Sequence, residues 1–197
     1  MRRIRASTGL IVAAMVLTLG ATGCGGGQPS HRRVADRGAG PFARLRPEPP
    51  PAGWKIARNP GASTLAYPPG WTPIRTDAGT ATVALLGRGG RIDGYLNATP
   101  KQGSETLANW SRFRPDHNRD EGSRNVRVVA AADDLSFRSG RGSCAIDSYT
   151  TSKARYREIA CLVAGPRSSA VVVAAAPVAL WHARAAVLER AVSSFVA

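Results

Sequence analysis

Along residues 54–197 the apolar positions follow two periods. Most segments alternate in the two-residue rhythm of a half-buried strand, or run apolar for six to eight residues. Residues 64–67 (TLAY) form a short strand, ended by Pro68-Pro69-Gly70 before Trp71. Residues 80–86 and 92–99 are two more strands, and the Gly-Arg-Gly-Gly turn at 87–90 makes them a hairpin. Residues 104–113 change to helical spacing. Ser104 is placed as N-cap, Glu105 suits the first turn, and Leu107, Trp110 and Phe113 share a face. Pro115 is expected to stop this helix, leaving 116–124 (DHNRDEGSR) as a polar loop. Residues 126–132 and 135–137 are strand segments separated by an Asp133-Asp134 turn. Residues 142–150 and 156–164 follow as a strand pair, and the Val-rich run 169–176 is placed centrally. After Pro177 the period becomes helical again, with Trp181, Leu188, Val192 and Phe195 on one face. Hairpins interrupted by one helix and closed by another predict an α+β fold, an antiparallel β-sheet packed with helices.

The strand pair at 142–164 carries two cysteines. A turn centred between Ser152 and Lys153 makes opposed residue numbers sum to 305, so Cys144 faces Cys161. The same register pairs Ile146 with Ile159 and Tyr149 with Tyr156, which favours it. It also sets Asp147 against Glu158, a repulsion that Arg155 or Arg157 is expected to relieve. A Cys144–Cys161 disulfide is therefore predicted. A metal pair or a redox pair fits less well, because no His or further Cys lies nearby in sequence and the spacing is not C-x-x-C.

The N-terminus supplies the compartment in which a disulfide persists. Arg2, Arg3 and Arg5 precede an apolar run at 10–19, and small residues lead to Cys24. This is an export signal, and its run is about half the ~20 residues that a spanning helix needs. Ala21-Thr22-Gly23-Cys24 resembles the lipobox of bacterial lipoproteins, which implies lipidation of Cys24 and cleavage before it. Residues 1–23 are thus expected to be a lipoprotein signal peptide, 24–53 a lipid-anchored flexible tether, and 54–197 the folded domain. The tether reads as Gly-rich at its start and Pro-rich at its end.

The 197 residues are 43% hydrophobic, which is enough for one core and too apolar for a disordered chain. Lys and Arg number 27 against 13 Asp and Glu, a net charge of +14, and only Lys55, Lys101 and Lys153 are lysines. The Arg-for-Lys bias with abundant Ala, Gly and Pro points to a GC-rich genome. Export argues against a nucleic-acid partner despite the charge. Near an anionic leaflet each tether arginine would add roughly 1 kcal/mol of attraction.

Catalytic constellations are not evident. His31, His117 and His182 have no metal-ligand spacing, and Ser143 has no identifiable base. No metal site and no cofactor are expected. Trp71, Tyr95 and Trp110 are the best candidates to line a groove for a small ligand.

The Tyr67-Pro68-Pro69-Gly70-Trp71 start, followed by two hairpins, a helix between them and a terminal amphipathic helix, resembles the PsbP-like fold. With the lipobox and tether it also resembles the LpqN-type lipoproteins of actinobacteria. The resemblance covers about residues 63–197. It implies an α/β/α sandwich on the extracytoplasmic face of the cell membrane and a non-enzymatic accessory or scaffold role, with envelope biogenesis as its setting. The expected partner is an envelope protein; the alternative is a lipid or other small apolar ligand in an aromatic groove.

Overall fold

The computed structural model describes residues 40–197, so the signal peptide expected at 1–23, the lipidation expected at Cys24, and His31 lie outside the described residues. Nine strands and two α-helices follow the chain as β1 Lys55–Arg58, β2 Thr64–Tyr67, β3 Thr72–Pro73, β4 Ala81–Leu86, β5 Ile92–Pro100, α1 Trp110–Asp120, β6 Arg124–Phe137, β7 Gly140–Thr150, β8 Arg155–Ala164, β9 Ser169–Pro177 and α2 Trp181–Ser193. Strands β3 to β9 form one antiparallel sheet in the order β3-β4-β5-β9-β8-β7-β6. Strands β1 and β2 make a separate hairpin.

Side-chain alternation sorts the sheet into two faces. Leu96, Ile146, Ile159, Val172 and Ala174 join Leu188 and Val192 of α2, Phe195 just beyond it, and Leu65 of β2 in the main core. The neighbouring positions Ala145, Ala160, Leu162 and Val173 join Trp110 of α1 in a smaller core on the opposite face. The Val-rich run at 169–176 is β9, and it lies at the centre of the sheet between β5 and β8. Its Val172, Ala174 and Ala176 are buried under α2 and its Val173 and Ala175 are buried on the opposite face, so the run has no need of polar alternation.

The β7–β8 register is the expected one, with Cys144 opposite Cys161, Ile146 opposite Ile159 and Tyr149 opposite Tyr156. A disulfide joins Cys144 to Cys161 on the α2 face. The 87–90 turn closes the β4–β5 hairpin, with Gly89 and Gly90 at φ +66° and +75°. Gly94 in β5 is required by contact, because a Cβ there would lie 2.6 Å from the Trp71 ring.

Four expectations change. Helix α1 starts at Trp110, six residues after Ser104. Glu105 turns back to accept the Gln102 and Gly103 N–H groups at 2.8 Å each, and Thr106 and Asn109 bond each other's backbone N–H through their side chains. The helix then runs through Pro115 to Asp120, so most of the supposed polar loop is helical. A proline inside a helix costs about 3 kcal/mol. Pro115 is buried, and the residues around it are tied to the sheet, which offsets that cost. The region 126–137 is one 14-residue strand, and Asp133-Asp134 is a bulge in which Asp134 adopts φ +57° and accepts from Arg141.

The described end of the expected 24–53 tether is the fourth change. Residues 40–53 lie along the domain, with Phe42 and Leu45 packed on the main core. The Ser193 hydroxyl donates to the Arg44 carbonyl and accepts the Arg46 N–H, and Glu48 N–H reaches the Ser193 carbonyl. Glu48 also pairs with Arg190. Two apolar side chains and a ladder to α2 hold this segment, which its Arg- and Pro-rich composition concealed.

Candidate functional site

Helix α1 lies over β6, β7 and β8 and leaves the β4–β5–β9 half of the same face uncovered. A cleft of about 660 Å³ opens there. Its floor is set by alternation, with Tyr95 and Thr99 from β5 and Val171, Val173 and Ala175 from β9. One wall is the inner face of α1, including Trp110, Phe113, Arg114 and His117. Tyr149 and Tyr156 close one end, stacked with centroids 5.9 Å apart. Trp110, Phe113 and His117 form a second stack along the helix, at 6.0 and 5.9 Å.

Of the three aromatic residues expected in a groove, Tyr95 and Trp110 line this cleft. Trp71 does not. It packs against Gly94 in the main core on the α2 face, because Gly94 and Tyr95 are consecutive and point to opposite sides of β5. Trp110 is almost fully buried, and its indole N–H donates to the Ala160 carbonyl at 2.8 Å. It therefore pins α1 to the sheet, and its ring forms part of the cleft wall.

A buried charged cluster lies at the inner edge of the cleft. Asp147 and Glu158 are opposed on β7 and β8 with no exposed surface, both on the α1 face. Arg114 answers them from α1, donating to the two Glu158 oxygens at 2.6 and 3.0 Å. The Asn118 amide, one turn further on, donates to Asp147 at 3.3 Å and to Glu158 at 3.2 Å. The expected relief by Arg155 or Arg157 does not occur. Both alternate away from Glu158, and Arg157 lies over the Trp181 ring on the other face, 5.6 Å from its centroid.

The environments push the two carboxyls apart. Burial raises both, but for Glu158 the Arg114 charge and the hydrogen bonds from Arg114, Asn118 and Tyr149 prevail, and it is held below the usual range. Asp147 is pushed up to about 8 by burial and by the Glu158 charge, with Arg114 opposing. At neutral pH the pair thus holds one proton, on Asp147, while Glu158 faces Arg114 as a carboxylate. Burial alone would lower Arg114; the Glu158 charge and hydrogen bonds more than reverse that. Burial and the same negative charge raise the Tyr149 hydroxyl. The Oδ1 atom of Asp147 has no hydrogen-bond partner.

Sequence reasoning missed Arg114 and Asn118 as site residues because it ended the helix at Phe113, before Pro115, and it considered His117 only for metal-ligand spacing. Their signal was present: Trp110, Arg114, Asn118 and Glu121 recur every three to four residues straight through the proline. Elsewhere, the Ser143 hydroxyl donates to the Leu107 carbonyl at 2.7 Å and His182 is exposed on α2. Among the described residues no group of three or more His, Cys, Asp or Glu is placed to hold a metal ion, and no helix is long and apolar enough to cross a membrane.

Neither a family model nor a curated protein matches the sequence. Solved structures do match. The solution structure of CyanoP, the PsbP protein of the cyanobacterium Synechocystis sp. PCC 6803, superposes with a TM-score of 0.55 at 13% identity, over 74% of this chain and 92% of that one. A Pseudomonas aeruginosa protein of unknown function gives 0.49 at 11% identity, over 74% and 98%. LpqN of Mycobacterium tuberculosis, described as involved in cell envelope biogenesis, gives 0.37 at 11% identity, over 75% and 80%. At these identities the likeness is one of fold. The chain has a PsbP-like fold, an antiparallel sheet with one helix on each face.

Proposed function

We propose that this protein is a non-enzymatic binding protein of the cell envelope, lipid-anchored through Cys24 on the extracytoplasmic face of the membrane, and that the α1 cleft holds a small ligand. The observation that carries the reading is the cleft itself. Its volume of about 660 Å³ falls within the ~300–1,000 Å³ typical of small-molecule sites. Its lining mixes aromatic rings with hydroxyl, amide and carboxyl groups, so the ligand is part apolar and part polar.

A cleft with strongly perturbed titratable groups also suits an enzyme. The position of those groups argues for binding. Asp147 does not line the cleft, and both Glu158 oxygens are engaged by Arg114 and Asn118. The cluster fixes the helix that forms the wall. The reading assigns no cofactor, no metal and no nucleic-acid partner.

A second reading, an accessory protein for an envelope protein partner, is favoured by a different surface. Edge strand β6 exposes Val128 and Val129 at 46% and 50%, and an unpaired strand edge can take on another strand.

Native mass spectrometry of the full-length protein, purified gently from its own membrane, tests both. The variant Thr99→Trp fills the cleft floor from a half-exposed position. The binding reading expects a small molecule beyond the acyl anchor's mass on the wild type, absent from Thr99→Trp. A defined protein retained equally by both forms, with no small molecule, would replace it with the accessory reading.

A further inference from the structure

The charge distribution narrows the ligand class, on the premise that the cleft is a binding site. The chain has 27 basic and 13 acidic residues. Four of those acids, Asp77, Glu105, Glu121 and Glu158, line the cleft, against one of the bases, Arg114. Four carboxyl groups against one guanidinium leave a formal net of three negative charges at the cleft of a chain carrying +14. Random scattering of a twofold excess of bases would have given the opposite sign.

The single base is not available to a ligand. Arg114 is engaged by both Glu158 oxygens, and its side chain is only 12% exposed. His117 faces Glu121 at 3.1 Å. An anionic ligand would therefore meet carboxylates at the rim and no free cation within. The rim acids Asp77 and Glu121 are exposed. Further in, Tyr95, Phe113, Tyr149 and Tyr156 keep part of their rings open to the cleft. Aromatic faces attract cations through the ring quadrupole, most strongly where water is thin. Low-dielectric walls focus the field of the acids into the cleft, while the basic surface elsewhere repels cations.

We propose that the α1 cleft selects a small organic cation, a molecule bearing a substituted ammonium group beside an apolar part. The charged group sits against the tyrosine and phenylalanine rings within the field of Asp77 and Glu121. Glu105 adds negative charge from behind, while the Glu158 charge is matched by Arg114. Hydrogen bonds from the 102–103 backbone hold Glu105 below the ordinary carboxylate range against the effect of burial, and Arg114 does the same for Glu158.

Choline and its uncharged carbon isostere, 3,3-dimethylbutan-1-ol, separate charge from shape. Both are titrated calorimetrically into the full-length protein in a non-ionic detergent. The expected result is choline binding at least tenfold tighter than the alcohol, weakening several-fold between 20 and 500 mM salt. Asp77→Asn with Glu121→Gln should weaken choline at least threefold and leave the alcohol and the melting temperature unchanged. Equal binding of the two probes, or no choline binding up to 20 mM, overturns the inference.

Failure of the underlying reading looks different. A natural ligand recovered from the wild type, lost in Thr99→Trp and lacking a cationic nitrogen would sink the cation inference and leave the binding site standing. No small molecule on either form would remove the site itself.

Discussion

Replacing Arg114 by Met removes the only guanidinium among the described residues that pairs with the buried carboxyls, and keeps most of the side-chain volume. Glu158 has no exposed surface, so water cannot replace the lost donors without opening the α1–sheet contact. Two charge-assisted hydrogen bonds, at 2.6 and 3.0 Å, disappear together. Removing one partner of a buried pair typically costs roughly 3–5 kcal/mol, most of it the penalty on the charge left behind. Against a total stability of about 5–15 kcal/mol this is a large loss. The double variant Arg114→Met with Glu158→Gln removes the stranded charge, and about 2–4 kcal/mol should return as coupling between the two sites. Urea unfolding followed by tryptophan fluorescence measures both, with Trp110 at the contact being probed. Lowering the pH from 7 to 4.5 should shrink the cost of the single variant, because Glu158 without Arg114 takes up a proton. A loss below about 1 kcal/mol for Arg114→Met, or a coupling near zero, would refute the claim that this cluster holds α1 in place.

Three further outcomes follow from the same geometry. Asp147 keeps its proton in the native state up to about pH 8 and releases it near 3.9 when unfolded, so its contribution to stability falls as pH rises between those values; Asp147→Asn should flatten the decline in melting temperature from pH 5 to 8. Glu158, held low, contributes in the opposite sense and only on the acid side, losing its contribution as pH falls below the unfolded value. Reducing the Cys144–Cys161 disulfide, which closes a separation of 17 residues, should lower stability by about 3 kcal/mol in urea titrations with and without reductant. Ser193→Ala removes the hydroxyl that bonds Arg44 and Arg46, and tryptic cleavage at these arginines should accelerate several-fold while residues 54–197 stay protected.

What the sequence disclosed followed the range of the interactions involved. The β7–β8 register was legible because one local turn sets it, and Cys144, Ile146 and Tyr149 all find suitable partners in the same alignment. The terminal helix was legible because its apolar face meets the core along its whole length. The first helix was displaced because local rules decided its ends: Ser104 is a good cap and Pro115 a good stop, yet Glu105 prefers the 102–103 backbone and Arg114 and Asn118 draw the chain past the proline. The short strands β1 and β3 gave no periodic signal, having four and two residues. Residues 40–53 resembled a linker because only Phe42 and Leu45 face inward and the remaining contacts are made by backbone and charge.

The candidate site was half legible. Tyr95 and Trp110 were placed in the groove, whereas Trp71 was not separable from them without knowing which side of β5 each ring meets. The opposition of Asp147 and Glu158 was visible in the register, but its resolution by a helix 44 residues before Glu158 is a tertiary fact.

Hydrogen exchange on the intact protein, with and without a neutral-detergent membrane extract of the cells that make it, locates the surface a ligand covers. A ligand in the α1 cleft should slow exchange in peptides covering α1 and the facing parts of β5 and β9, with none of that protection in Thr99→Trp. Protection confined to the β6 edge around Val128 and Val129, or unchanged by Thr99→Trp, would contradict the cleft reading.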